Sequence, residues 1–310
     1  MKSKKGFEFS FGWMFAIVIG AMIIFLSVYA TTRLIGTERK IQESELGKEL
    51  GIILTPIETS VEEGRSARIL LSQETKLFNE CDPSYGTFGS QDLSVSTEAR
   101  VGRGESRGAV SSFRNKYIFS SREVEGREYR VFSKPFKFPF KIGDFIYMWS
   151  ENEKYCFINP PGEIEEEIES LNLKGVNIVS DEKDCERGSK IVRIDIVTIG
   201  SGKLQGRVKK GFDEVYFVNP ELALGAVFAD PEVYECQVKR LMKRASELAL
   251  LYRAKSVFLA PKGCGTNLEI DLERYANKTF SLEGSFDLAE IQVLSENLRR
   301  KNDELYCKIF

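Results

Sequence analysis

The sequence predicts an α+β protein carried on a single N-terminal transmembrane helix. Three observations predict it. An uncharged apolar run spans Phe9 to Thr32, short β-compatible runs recur through residues 56–150, and a mixed stretch over 151–310 ends in two amphipathic helices.

Phe9 to Thr32 is 24 consecutive residues without a charge. At roughly 1.5 Å rise per residue, a helix of that length crosses the ~30 Å hydrocarbon layer with margin for tilt. The run exceeds the roughly 7–15 apolar residues of a secretory signal, and no small-residue cleavage pair follows it, so the helix is expected to stay on the mature chain. Phe11, Trp13 and Tyr29 lie near its ends, where aromatic rings favour the bilayer interface. The partner it implies is the lipid bilayer. Lys2, Lys4 and Lys5 precede the run while Arg33, Arg39, Lys40 and Lys48 follow it, so flanking charge nearly balances. Six cysteines in the remainder tip the expectation to a single-pass cell-membrane protein, its residues 1–8 cytoplasmic and its bulk extracytoplasmic. A cytosol-facing chain with reduced cysteines is the competing topology.

Lys4-Lys5-Gly6-Phe7, directly before the run, resembles the basic-Gly-Phe junction of type IV prepilins and archaeal class III signal peptides. The resemblance ends with the apolar run. It implies cleavage after Gly6 and a retained helix able to self-associate in a filament. Glu8 stands second after that junction, and Phe11 occupies the fifth place, where bacterial pilins carry Glu. The remainder is similar to uncharacterised membrane-anchored surface proteins of archaea, which implies no activity.

The chain has 310 residues and a net charge of −2. Lys2, Lys4, Lys5 and Arg33 against Glu8 give the first 33 residues +3, leaving −5 for the rest. That mildly acidic balance lacks the basic footprint of a nucleic-acid binder, so no nucleic acid is expected. There is no histidine. Ser-His-Asp and Cys-His nucleophiles, HExxH metal sites and mixed Cys/His zinc sites are thereby excluded. No cofactor, metal or catalytic residue is expected, and the chain is not expected to be an enzyme.

The cysteines are Cys81, Cys156, Cys185, Cys236, Cys264 and Cys307. None are spaced as CxxC, which argues against a zinc ribbon. An even number confined to the region after the anchor favours three disulfides over buried thiols. Cys156 and Cys185 bracket one compact strand-helix-strand unit. Cys236 opens a helix whose chain returns through Cys264 or Cys307, so one of these is its expected partner.

Residues 33–55 continue the helical pattern through Leu34, Ile35, Ile41, Leu46, Leu50, Ile53 and Leu54 as a juxtamembrane stalk, which Pro56 ends. In residues 56–150 the strand candidates are Arg68–Leu71, Lys76–Phe78, Leu93–Thr97, Lys116–Phe119 and Glu128–Phe132. Val124-Glu125-Gly126-Arg127 reads as a hairpin turn. Lys134 to Lys141 alternates Phe136, Phe138 and Phe140 with Lys and Pro, as an edge strand or extended linker burying one aromatic face would. Gly102 to Gly108 is spaced GxGxxxG with no helix after it, and reads as a surface loop.

Residues 151–310 change style. Tyr155–Ile158 and Val176–Val179 read as strands around an acidic helix, Glu163–Leu171, and Ile191–Ile199 and Glu214–Val218 as further strands. Ser180 and Lys183 match SxxK, a chance spacing in a loop. Asp230-Pro231 opens a long helix with Asp230 as N-cap, and Val233, Val238, Leu241, Met242, Ala245, Leu248, Ala249 and Tyr252 form its apolar stripe. Pro261 to Gly265 is a turn, and Ser285 to Tyr306 the last helix. Asn277 opens a glycosylation sequon with Thr279, meaningful only in an exported protein.

The functional expectation is a membrane-anchored extracytoplasmic structural or interaction protein, pilin-like or part of a surface assembly. Its expected partners are other membrane or surface proteins. The alternative is a membrane-tethered enzyme or sensor using carboxylates and lysines alone.

Overall fold

The computed structural model describes residues 11–34, 66–96, 110–171, 175–200, 203–210 and 212–310. The Gly6 junction, nearly all of the 33–55 stalk and the Gly102–Gly108 loop lie outside them. Helix α1 (Phe11–Leu34) is the predicted apolar helix, and none of its most apolar stretch is covered by the rest of the chain. Within it the hydroxyls of Ser27 and Thr31 donate to the carbonyls of Ile23 and Ser27, each at 2.8 Å. Such internal bonds satisfy polar groups that lipid would leave unpaired.

The first sheet is built from β1 (Ser66–Asp82), β2 (Ser90–Ser96), β3 (Ser111–Phe113), β4 (Tyr117–Phe119), β5 (Glu123–Lys137) and β6 (Lys141–Ser150). Their order is β3-β2-β1-β5-β6-β4, antiparallel except for β4 beside β6. The two predicted runs Arg68–Leu71 and Lys76–Phe78 are one long strand, interrupted by a register shift between Leu70 and Thr75.

The predicted hairpin at Val124–Arg127 is corrected. β5 runs straight through it, with Leu77 opposite Val124 and Thr75 opposite Gly126. Glycine is needed there for close approach, because a Cβ on Gly126 would collide with Ser150 Oγ. The Lys134–Lys141 stretch forms the β5–β6 hairpin, with Phe138-Pro139 cis. Among the described residues β1 pairs with β5 from Ser66 opposite Phe132, and Pro135 lies opposite Asp144 of β6. Phe136, Phe138 and Phe140 are all buried.

The second sheet comprises β7 (Tyr155–Ile158), β8 (Val176–Val179), β9 (Lys190–Gly200), β10 (Lys203–Lys210) and β11 (Asp213–Val218), in the order β11-β10-β9-β7-β8. β7 is parallel to both neighbours, and α2 (Gly162–Leu171) makes the crossover from β7 to β8. Between the sheets lie α3 (Asn219–Phe228) and α4 (Pro231–Leu259), which both contact strands of each sheet. α5 (Glu269–Phe280) packs on α4, and α6 (Leu288–Asp303) on α5 and β11.

The expected pair of C-terminal helices is therefore corrected to α3, α4, α5 and α6. α3 escaped because Leu222 to Phe228 are all buried, leaving no polar face to reveal a 3.6-residue period. The last helix starts at Leu288, after a short 3-10 turn over Ser285–Asp287.

One hydrophobic core joins Tyr117 to Trp149 of the first sheet with residues from Tyr155 to Ile309. Its centre is aromatic: Phe132 and Tyr147 lie 4.4 Å apart, Phe136 and Phe145 4.5 Å, Trp149 and Phe228 4.9 Å. Each such ring contributes roughly 1.5–3 kcal/mol of burial. Two of the buried tyrosines find backbone acceptors: Tyr147 donates to Glu221 O at 2.8 Å and Tyr234 to Tyr216 O at 2.6 Å.

Candidate functional site

All six cysteines are paired. Cys156 on β7 joins Cys185, with Cα atoms 5.8 Å apart, as the compact unit led one to expect. Cys264 joins Cys307 at 5.6 Å, and Cys81 joins Cys236 at 6.1 Å. The expected return of Cys236 to Cys264 or Cys307 is corrected. α4 crosses β1, which places Cys81 at the end of that strand against the first turns of the helix. A separation of 155 residues carried no local clue.

Asn277 sits exposed in the last turn of α5. It borders a groove with Ile270, Glu273, Arg274, Lys278 and Ser281. Thr279 of the same sequon is buried, its hydroxyl donating to the Tyr275 and Ala276 carbonyls at 2.8 and 3.0 Å. Ser180 and Lys183 are exposed in the loop before β9, and Asp181 accepts from the Lys183 amide. Among the described residues no three His, Cys, Asp or Glu converge as metal ligands.

One polar constellation lies where the two sheets meet the start of α4. Ser121 follows β4, Glu153 lies in the β6–β7 turn, Lys190 opens β9, Lys210 closes β10, and Asp230 precedes α4. Lys190 Nζ donates to Ser121 Oγ at 2.7 Å and pairs with Glu153 Oε1. Ser121 Oγ in turn donates to Glu153 at 3.2 Å, and Glu153 also accepts from the Ser150 amide at 3.3 Å. The Ser121 proton is thus directed at a carboxylate and not at an amine.

Lys210 donates to the Ala229 carbonyl. Burial holds its amine down at about 7, with Lys190 adding repulsion, while Asp230 and Glu153 oppose the fall. Tyr155 stands beside Lys190, whose ammonium is 5.4 Å from the ring centre, and burial pushes this phenol well above its ordinary range. Asp230 occupies the N-cap position as predicted, yet its carboxylate accepts from the Arg122 amide at 2.8 Å and makes no capping bond to the helix.

No family model, curated protein or solved structure matches the chain.

Further along α4 lies a second buried polar group. Arg240 is fully buried. Its guanidinium donates to the carbonyls of Phe88, Lys116, Arg114 and Phe113 at 3.2, 2.9, 3.1 and 3.4 Å, and to Gln237 Oε1 at 2.8 Å. Its carbon Cζ lies 5.0 Å from the Tyr117 ring centre. Burial draws its pKa down to about 10, with the Tyr117 phenol and Asp92 opposing the fall. Gln237, Gln91, Asn79 and Ser120 extend the network by side-chain bonds. Gly89, at φ +68°, holds the loop against the Arg240 stem, which a side chain there would strike.

Beside this network a cleft of about 300 Å³ opens between β1 and α4, lined by Asn79, Glu80, Cys81, Arg122, Glu232 and Val233. Arg122 and Glu232 form an ion pair at 2.9 Å on its exposed rim. Two of these features had a trace in the sequence. Lys210 continues the inward parity of Leu204, Gly206 and Val208, and Arg240 falls inside the buried stripe of α4. Glu153, Lys190 and Ser121 had none.

Proposed function

We propose that the chain is a single-pass membrane-anchored extracytoplasmic interaction protein, its folded part stapled by three disulfides. One observation carries this reading: all six cysteines are paired in a chain that also presents an apolar helix which its own fold leaves uncovered. An uncovered apolar helix of 24 residues finds its burial in lipid or against other chains. Disulfides persist in oxidising compartments outside the cytosol. In the pilin-like form of the reading, α1 packs against other copies after cleavage at Gly6. Partner binding then uses the folded part, whose polar junction is occupied by structural bonds.

Thiol labelling with a maleimide-polyethylene glycol, before and after reduction, tests the compartment in native membranes. The expected result is labelling only after reduction, together with digestion of the folded part by protease added outside intact cells. Six free thiols in the native protein, with protection from external protease, would overturn the reading. N-terminal sequencing of the mature chain tests the pilin-like form, which a chain still beginning at Met1 excludes.

A further inference from the structure

The C-terminal half of α4 carries an apolar face that no described residue covers. Leu250, Leu251, Val257 and Phe258 are 41, 62, 57 and 63% exposed, and Ala254 between them is exposed as well. Their spacing of three and four residues sets them on one side of the helix. The opposite side is committed to the core, where the Tyr252 ring packs at a tilt against Phe140 and Phe310, with centroids 4.7 and 5.5 Å away. At the same end of the molecule the Cys264–Cys307 bridge places the fully exposed Tyr306 beside the turn that follows α4.

Charge distinguishes among occupants. Residues 248–268 contain Arg253, Lys255 and Lys262 and no acidic residue, within a chain whose net charge is −2. Lys262 Nζ lies 3.9 Å from the Phe258 ring centre, Lys255 donates to Ile309 O at 2.6 Å, and Arg253 pairs with Glu273 at 3.3 Å. The nearest acids in sequence are Glu247 and Glu269 on either side, with Asp303 and Glu304 next to Tyr306. Asp303 pairs with Lys308 at 3.1 Å, and Glu269 accepts from Ser256 at 2.6 Å. Glu247, exposed one turn before Leu251 on the same side, is the one carboxylate on the face, so a two-fold pairing with a second copy would bring together more cations than it can answer. An anionic lipid surface does answer them. Apolar and aromatic side chains with lysines at the rim are the composition of an interfacial helix face.

We propose that the end of α4 docks on an anionic bilayer surface, seating Leu251, Val257 and Phe258 at the acyl boundary and Lys255 and Lys262 on headgroup phosphates. The proposal rests on the membrane-anchored reading, since α1 keeps the folded part close to a bilayer and so raises its effective concentration there. Docking would lay the folded part down on the membrane and fix which faces point to partners.

The test uses the full chain with Trp13→Phe and Phe258→Trp, reconstituted into phosphatidylcholine vesicles with or without phosphatidylglycerol. The other tryptophan, Trp149, is fully buried. The expected result is a blue-shifted emission from the introduced tryptophan, which acyl-brominated lipid quenches in the anionic vesicles. Lys255→Ala with Lys262→Ala should lower the docked-to-undocked ratio roughly tenfold or more, at about 1 kcal/mol per lysine. A water-exposed emission that bromine does not quench overturns the proposal. So does a blue shift without bromine quenching that grows with protein density, which assigns the face to a second copy. Release of the chain by alkaline carbonate would refute the anchor instead, and bromolipid quenching still decides the helix face.

Discussion

Replacing Lys210 by methionine removes a charge that the fold holds away from water. The amine titrates at about 7 in place of its ordinary 10.5, chiefly because burial strips the ammonium of its hydration. Between those two values the unfolded chain carries a proton that the folded chain has released. Stability therefore rises with pH across that window, by at most about 1.4 kcal/mol per pH unit. Below about pH 7 both states are protonated, and the full cost of burying the charge is present. The gap between 10.5 and 7 corresponds to roughly 4–5 kcal/mol. The residue is half-buried and bonded to Ala229 O, so screening and the lost hydrogen bond leave about 2–3 kcal/mol. Lys210→Met should thus stabilise the protein near pH 6, raising Tm by roughly 4–12 °C. The advantage should fade towards about pH 10. Urea unfolding of both proteins at several pH values measures this. Parallel pH profiles for the two, or a variant less stable near pH 6, would refute the reasoning.

Arg240→Met should cost roughly 2–4 kcal/mol in thermal unfolding, because four carbonyls, that of Lys116 buried and the others part-buried, lose their donor at once. Arg240→Lys should recover less than half of that, since an ammonium cannot reproduce the guanidinium fork. Replacing Cys81 and Cys236 together by serine should cost about 3–5 kcal/mol in the same assay, and more than replacing Cys156 and Cys185, whose closed loop spans 29 residues against 155. Equal losses from the two pairs would count against loop length as the cause. Gly225→Ala should destabilise by roughly 1–3 kcal/mol despite alanine's better helix propensity, because its Cβ would sit 2.8 Å from the Phe119 ring.

Elements that carry their own signal were legible. The uncharged run to Thr32, the strands at Tyr155–Ile158 and Val176–Val179, and the helix opened by Asp230-Pro231 each show length, alternation or a start signal within a few residues. Features created by distant parts of the chain were not. Gly126 looks like a turn residue in Val-Glu-Gly-Arg, and only the approach of Ser150 from β6 reveals why glycine stands there. Cys236 meets Cys81 because α4 crosses β1, a packing fact with no local trace. Lys210 and Arg240 stand out as cations at inward positions. Their acceptors are backbone carbonyls, which every residue has, so no sequence pattern could name them.

These two cations share a construction that bears on how the layers are held. Each donates to neutral carbonyl oxygen, the fully buried Arg240 on the loop before β2 and the segment from Phe113 to Lys116, and the half-buried Lys210 on the junction of α3 and α4. An aromatic core such as Phe132, Tyr147 and Phe228 accepts small shifts at modest cost. A buried charge does not, because displacement strands it without an acceptor. The α3–α4 layer is thus pinned to the first sheet by Arg240 and to the second by Lys210. The Cys81–Cys236 bridge lies one helical turn from Arg240 on the same face of α4. Loss of that bridge alone leaves the guanidinium in place, so α4 is expected to keep its seat on the first sheet when the protein is reduced.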